Sequence, residues 1–271
     1  MSIHLEVNHA KTVFDAADFT GGNALGDDRY VSSVCAGNGP IIFVSMFILG
    51  MSYTHTSAKS SSKNIPICID PGHQSKQNLE KEPVAPNSKV MKAKVTSGTV
   101  GVKTKLPEYK LNLEVALKLK KELLKKNYKI YMTRESHNVN ISNAERAKYC
   151  NSKKVKLTVR IHADGSTDRK VEGISVLYPN SKSTVSINSQ SKKSASLMLK
   201  SLIDTTKAKK SYGTGLVPRT DLTGFNWSTT PVILVEMGFM SNASEDQKLS
   251  SSSYQKKLVD GMVKGIDSSL K

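Results

Sequence analysis

Ile65–His73 reads I-P-I-C-I-D-P-G-H. The alternating β-branched residues describe a buried strand, and Asp-Pro-Gly is turn chemistry that stops it, so His73 is delivered to the rim of a sheet. In an open α/β sheet, ligands and active sites collect beyond the carboxyl ends of the strands. Two further runs end in the same way. Lys156–Asp164 (K-L-T-V-R-I-H-A-D) carries His162 at its end, and Pro231–Met237 (P-V-I-L-V-E-M) carries Glu236 ahead of Gly238. A single histidine after a strand is ordinarily a polar loop residue. Three apolar strands that each close on a group suited to metal or proton chemistry point instead to one shared site.

Between these strands the pattern alternates with helices. Leu111–Lys126 (L-N-L-E-V-A-L-K-L-K-K-E-L-L-K-K) has helical periodicity, with Leu113, Ala116, Leu117, Leu123 and Leu124 expected on one face and lysines on the other. Lys129–Arg134 follows as a strand, and Ser142–Asn151 as a helix opened by a capping box of Ser142 and Glu145. Val171–Pro179 adds a strand and Ser189–Lys207 a helix, and Lys209–Pro231 reads as irregular. Ser244 and Gln247 form another capping-box pair, opening a C-terminal helical region that carries Tyr254, Leu258, Met262 and Ile266. This order predicts an α/β fold: a single layered domain, its twisted, mostly parallel or mixed sheet flanked by helices. Gln74–Lys105 is polar and rich in Lys, Pro and Ser. A loop of that length is functional or disordered, and directly after His73 it would wall or cover the site.

The 271 residues suffice for one such domain and an extension. Residues 1–40 show no sustained period and read as an irregular leader, 41–58 as a signal-like apolar segment, 59–64 as a polar linker and 65–271 as the catalytic domain. Ile41–Met51 is short for a membrane span but has the length of a signal-peptide core, with small residues at Thr56-Ser57-Ala58 behind it. The expectation is export to the cell wall or the outer face of the membrane, with 41–51 a possible site of membrane attachment. Residues 1–57 hold two basic side chains against five acidic ones, so the net charge of +17 becomes +20 over the remainder. That surface suits an anionic partner such as a wall polymer. Its lysines are scattered without interleaved aromatics, which argues against nucleic acid. Cys35, Cys68 and Cys150 show no metal-type spacing, and Cys68 reads as a small buried hydrophobe, so no disulfide is assigned.

A catalytic zinc takes three N or O ligands and keeps a position open for water. His73 and His162 supply two, and Glu108 and Glu114 near the start of the long helix are both candidates for the third. Glu114 falls toward solvent on the helical wheel. Glu108 lies at the helix start, where the helix dipole would equally explain it.

Taken together, I-C-I-D-P-G-H, P-E-Y-K-L-N-L-E-V-A-L-K-L with Y-M-T-R, V-R-I-H-A-D and V-I-L-V-E-M-G-F-M-S-N resemble the successive motifs of the zinc-dependent N-acetylmuramoyl-L-alanine amidases, bacterial cell-wall enzymes that include autolysins and sporulation or germination enzymes. The resemblance spans Ile65 to Leu270. It implies one Zn2+ held by His73, Glu108 and His162, Glu236 as the catalytic glutamate, and structural roles for Arg134 and Arg146. The implied substrate is peptidoglycan, cut at the amide between N-acetylmuramic acid and L-alanine by a monomer. A non-catalytic wall-binding or activator-dependent domain on the same fold, or a zinc peptidase, are the alternatives. Arg219, Asn226 and Trp227 are candidates to border the cleft, with loop packing as the plain alternative.

Overall fold

The computed structural model describes residues 64–271, so the expected leader, apolar segment and nearly all of the linker lie outside the described residues. The chain runs β1 (Pro66–Pro71), β2 (Asn78–Pro83), β3 (Met91–Val95), α1 (Glu108–Lys125), β4 (Lys129–Met132), α2 (Asn143–Ser152), β5 (Leu157–Asp164), β6 (Ser175–Pro179), α3 (Val185–Thr206), β7 (Leu216–Arg219), α4 (Thr223–Asn226), β8 (Val232–Phe239), α5 (Ala243–Leu249) and α6 (Ser252–Ser269). Six strands form one sheet in the order β4-β1-β5-β8-β6-β7, and β2 pairs with β3 as a separate antiparallel hairpin. β4, β1, β5 and β8 are parallel, while β6 runs antiparallel to β8. The mixed sheet flanked by helices is the architecture expected from the alternating pattern.

Side chains alternate between the two faces of each strand, and the parity divides the molecule chemically. Ile67 and Ile69, Leu157, Val159 and Ile161, and Ile233, Val235 and Met237 all point to one face, where they join α1, α3 and α6 in the main core. α1 contributes Leu111, Val115, Leu119 and Leu123 to that core. Leu117 and Leu124, expected on the buried face, are instead exposed. The helix begins three residues earlier than periodicity suggested, and its apolar stripe follows 111, 115, 119 and 123. α6 lies close against α3 because Gly265 has no side chain: a Cβ there would come within 2.9 Å of the Met198 Cα.

The opposite parity of the central strands carries the polar groups. Asp70, Arg160, His162 and Glu236 share that face with two small apolar clusters, one around Phe225 and Leu234 and one around Cys68, Cys150 and Val155. Here the structure corrects the sequence reading of the cysteines. Cys68 and Cys150 form a disulfide, with Cα atoms 5.7 Å apart and a sequence separation of 82. No local spacing reveals such a pair, because only the packing of α2 across β1 brings the two together.

Other segments also differ from expectation. Gln74–Lys105 contains the β2–β3 hairpin, and Lys209–Pro231 contains β7 and α4. The strand expected over Val171–Pro179 is confined to Ser175–Pro179. The Ser142–Glu145 capping box is present. Helix α5 is capped instead by Asn242, whose side chain accepts from the Ser244 and Glu245 N–H groups.

Candidate active site

The register of β5 against β8 places His162 directly beside Glu236. β1 delivers His73 from the neighbouring strand. After Gly72 the chain turns through a left-handed residue, His73 at φ 60, a conformation a non-glycine residue keeps only when its surroundings impose it. Arg146 supplies part of that constraint by donating to the His73 and Pro71 carbonyls, and Arg134 donates to the Pro71, Gly72 and Tyr109 carbonyls. Both arginines brace strand ends.

Glu108 is the first residue of α1, 3% exposed. Its Oε1 lies 3.2 Å from His73 Nε2 and 3.1 Å from His162 Nδ1. The three side chains can each offer one ligand atom within 4.8 Å of the others. Of the two carboxylates left open by periodicity, Glu114 is on the exposed face, paired with Lys118, and Glu108 is at the centre.

The groups around these three fix their orientation, as hydrogen bonds behind metal-binding side chains generally do. His73 Nδ1 donates to the Thr96 carbonyl at 2.9 Å, which leaves Nε2 with the free lone pair on the Glu108 side. Glu108 Oε2 accepts the Thr99 N–H, while Oε1 accepts from Asn112 Nδ2 and the Ala163 N–H. Gly98 lets residues 96–99 lie this close: at φ +81 it needs a backbone few other residues adopt, and a Cβ would fall 2.5 Å from Glu108 Oε2. Gly72 does the same beneath His162, whose Cε1 would be 2.1 Å from an added Cβ.

The electrostatics follow from burial. Burial alone would raise the Glu108 carboxyl, but the hydrogen bonds of His162 and His73 outweigh it and hold the group below the usual carboxylate range. Burial pushes His162 down to about 4 against the opposing pull of Glu108, so its imidazole is neutral near pH 7. Its Nε2 is buried without a hydrogen-bond partner among the described residues. Two imidazoles and a carboxylate are the donor set of a catalytic zinc site, and an unsatisfied ring nitrogen fits one better than it fits a purely structural cluster. Glu236 is pushed the other way, well above the ordinary carboxylate value, first by burial and then by the Asp164 and Glu108 charges. Its Oε2 also has no partner among the described residues.

His73, His162 and Glu236 open onto a cleft of about 420 Å³. Lys92, Ala93 and Thr96 of the hairpin region line it, so part of the polar segment after His73 does wall the site. Arg219 borders the cleft, but Trp227 does not: its Nε1 donates to the Pro83 carbonyl and Lys148 lies over its ring. Asn226 packs locally, donating to the Thr220 carbonyl and accepting from Ser181. Arg160 was not singled out from the sequence, yet a charge inside the apolar run V-R-I was a readable signal. Thr99 had none, because it acts through its backbone N–H, and Thr96 meets His73 Nδ1 at its carbonyl as well as its hydroxyl.

Comparison with known proteins agrees with this geometry. Residues 67–268 match the family model described as N-acetylmuramoyl-L-alanine amidase. An N-acetylmuramoyl-L-alanine amidase of Mycobacterium tuberculosis is 24% identical over 83% of this chain and 95% of its own length. Among solved structures, the N-acetylmuramyl-L-alanine amidase Ami1 of Mycobacterium abscessus superposes with a TM-score of 0.70 at 27% identity, covering 76% of this chain and 99% of that one. An N-acetylmuramoyl-L-alanine amidase of Clostridium difficile superposes with a TM-score of 0.63 at 26% identity, covering 77% and 98%. With the matched residues extending from β1 to the last turn of α6, the chain belongs to the N-acetylmuramoyl-L-alanine amidase family, whose reaction is hydrolysis of the bond between N-acetylmuramic acid and L-alanine in peptidoglycan.

Proposed function

We propose that the chain is a zinc-dependent amidase in which His73, Glu108 and His162 hold one ion and Glu236 moves the proton. The observation that carries the reading is the convergence of three ligand atoms within 4.8 Å, on a strand pairing that sets Glu236 beside His162. When bound, zinc lowers the pKa of a coordinated water and polarises the scissile carbonyl.

The chain's own groups do the rest. Glu236, desolvated and lacking a partner at Oε2 among the described residues, takes a proton from the attacking water and passes it to the departing alanine nitrogen, as general base and then acid. The Thr96 carbonyl holds His73 in the tautomer that presents Nε2, and Thr99 and Asn112 hold the Glu108 carboxylate in place. The ligands are therefore oriented before substrate arrives, which avoids reorganisation during the reaction. Action outside the cytoplasm is part of the same proposal. It is supported by the buried Cys68–Cys150 bridge, since disulfides persist in oxidising compartments.

The test is incubation of the protein with purified peptidoglycan, with chelator and with zinc restored, while new N-terminal alanine is measured. Release that chelator abolishes and zinc restores is the expected result. Release indifferent to chelator would refute the metal assignment, and cleavage of stem peptides lacking muramic acid would favour a peptidase.

A further inference from the structure

Beneath the cleft, three buried guanidinium groups gather around one buried carboxylate, and Glu236 is the next carboxylate within charge range of Arg160. The buried carboxylate is Asp70, which accepts from Thr133, from Arg146 at 2.9 Å and from Arg160 at 2.8 Å. Two buried guanidinium groups therefore share one carboxylate. Arg134, also buried, adds a third cation nearby, and burial together with the Arg146 charge pulls it down to about 10. Buried charge is costly unless it is paired, and Asp70 cannot neutralise this set.

Arg160 is the member that reaches the cleft. Its Nε is committed to Asp70 and its Nη2 to Asn143 Oδ1, whereas Nη1 makes no hydrogen bond among the described residues. Gly224 lets the guanidinium reach this position, since a Cβ there would fall 2.2 Å from Nη1, and Arg160 lines the cleft beyond it. The other cleft cations are already paired. Lys92 and Arg219 both bind the Asp221 carboxylate, at 3.0 and 2.8 Å, and their side chains are over a third exposed.

Position and substrate chemistry identify the anion, given the amidase reaction. Arg160 and His162 are two residues apart on one face of β5, about 6.8 Å along the strand. In a muramoyl peptide the lactyl carboxyl is consumed in the scissile amide, so ionised groups near that bond lie on the peptide side. A carboxylate on the residue after the leaving alanine is about 6–7 Å from the alanine nitrogen in an extended chain. We propose that Arg160 is a specificity residue that receives this carboxylate through Nη1, so that the enzyme prefers a stem peptide with the second-residue carboxyl free over one in which it is a carboxamide.

The experiment uses two muramoyl peptides that differ only in that carboxyl or carboxamide, and reads the ratio of kcat/KM. The wild type should favour the carboxylate by about tenfold or more, the effect of a buried hydrogen bond to a charged group. Arg160→Gln should bring the ratio close to one, whereas Arg219→Gln should keep it. A wild-type ratio of one, or a preference that survives Arg160→Gln, would overturn the proposal. Because Arg160 also supports Asp70, a second arm needs no variant: wild-type protein is titrated with L-alanyl-γ-D-glutamate and with its α-carboxamide. About tenfold tighter, salt-sensitive binding of the free carboxylate is expected, and equal binding refutes the assignment. Failure to cleave either muramoyl peptide would count against the amidase reading, and the binding arm would still decide the role of Arg160.

Discussion

Reducing the Cys68–Cys150 bridge should remove a large share of the stability of the domain while leaving the active site intact. The bridge closes a loop of 82 residues, for which loop-closure entropy gives about 4.5 kcal/mol at 25 °C. For a domain of this size each kcal/mol moves the melting temperature by about 2–4 °C, so the expected fall is roughly 10–15 °C. The site should outlast the bridge because α2 has a second hold on β1: Arg146 bonds Asp70 and the Pro71 and His73 carbonyls. The assay is a pair of equilibrium urea titrations with and without reductant, with thiols counted in denatured protein before and after reduction. Activity is measured well below both melting transitions. Two new thiols, a lower urea midpoint and nearly unchanged cold activity are the expected outcome. Equal midpoints despite two new thiols would refute the loop-entropy reasoning, and no new thiols would refute the bridge itself.

Glu236→Gln should lower kcat by about 100- to 10,000-fold, the usual worth of general acid–base catalysis, while bound zinc measured by metal analysis stays near one per chain. His162→Ala should lose both metal and turnover, and a variant that kept its zinc would remove His162 from the ligand set. Gly72→Ala should displace the His162 ring, since the new Cβ would sit 2.1 Å from its Cε1, and weaken zinc binding by tenfold or more, checked by competition with a chromogenic chelator. Asp70 gives a pH signature. Burial raises its pKa, but Arg146, Arg160 and Thr133 outweigh that and hold it far below its ordinary 3.8. Its contribution is therefore present above the unfolded value near 3.8 and is lost progressively as the pH falls below it. Asp70→Asn should cost about 3–5 kcal/mol at pH 7, the price of leaving buried partner charges unpaired, and should flatten the acid limb of a stability-against-pH curve. An unchanged acid limb would assign that loss to other groups.

The strand endings, the long helix and the order of elements were legible in the sequence because each rests on local physics. Period-two apolar runs make strands, the helical recurrence of leucines over 111–126 makes a helix although Leu117 and Leu124 fall outside its buried face, and Asp-Pro-Gly stops a strand where it stands. His73, His162 and Glu236 could be singled out because each breaks such a pattern at its end. The choice of Glu108 over Glu114 was not local: it needed the family resemblance, and then the position of α1 over the strand ends. Residues 96–99 act mainly through backbone atoms and an open Gly98, which composition does not display. The Cys68–Cys150 bridge and the Asp70–Arg146–Arg160 cluster join groups 76 to 90 residues apart. The sequence by itself thus determined β1, β4, β5, β6 and β8, the long helices and which strand ends carry chemistry, though not β2, β3, β7 or α4, since the former depend on neighbours along the chain. Only the tertiary structure decided which carboxylate meets the histidines, which cysteines pair and which arginine faces the cleft, because those depend on strand order and on the packing of α1 and α2 across it.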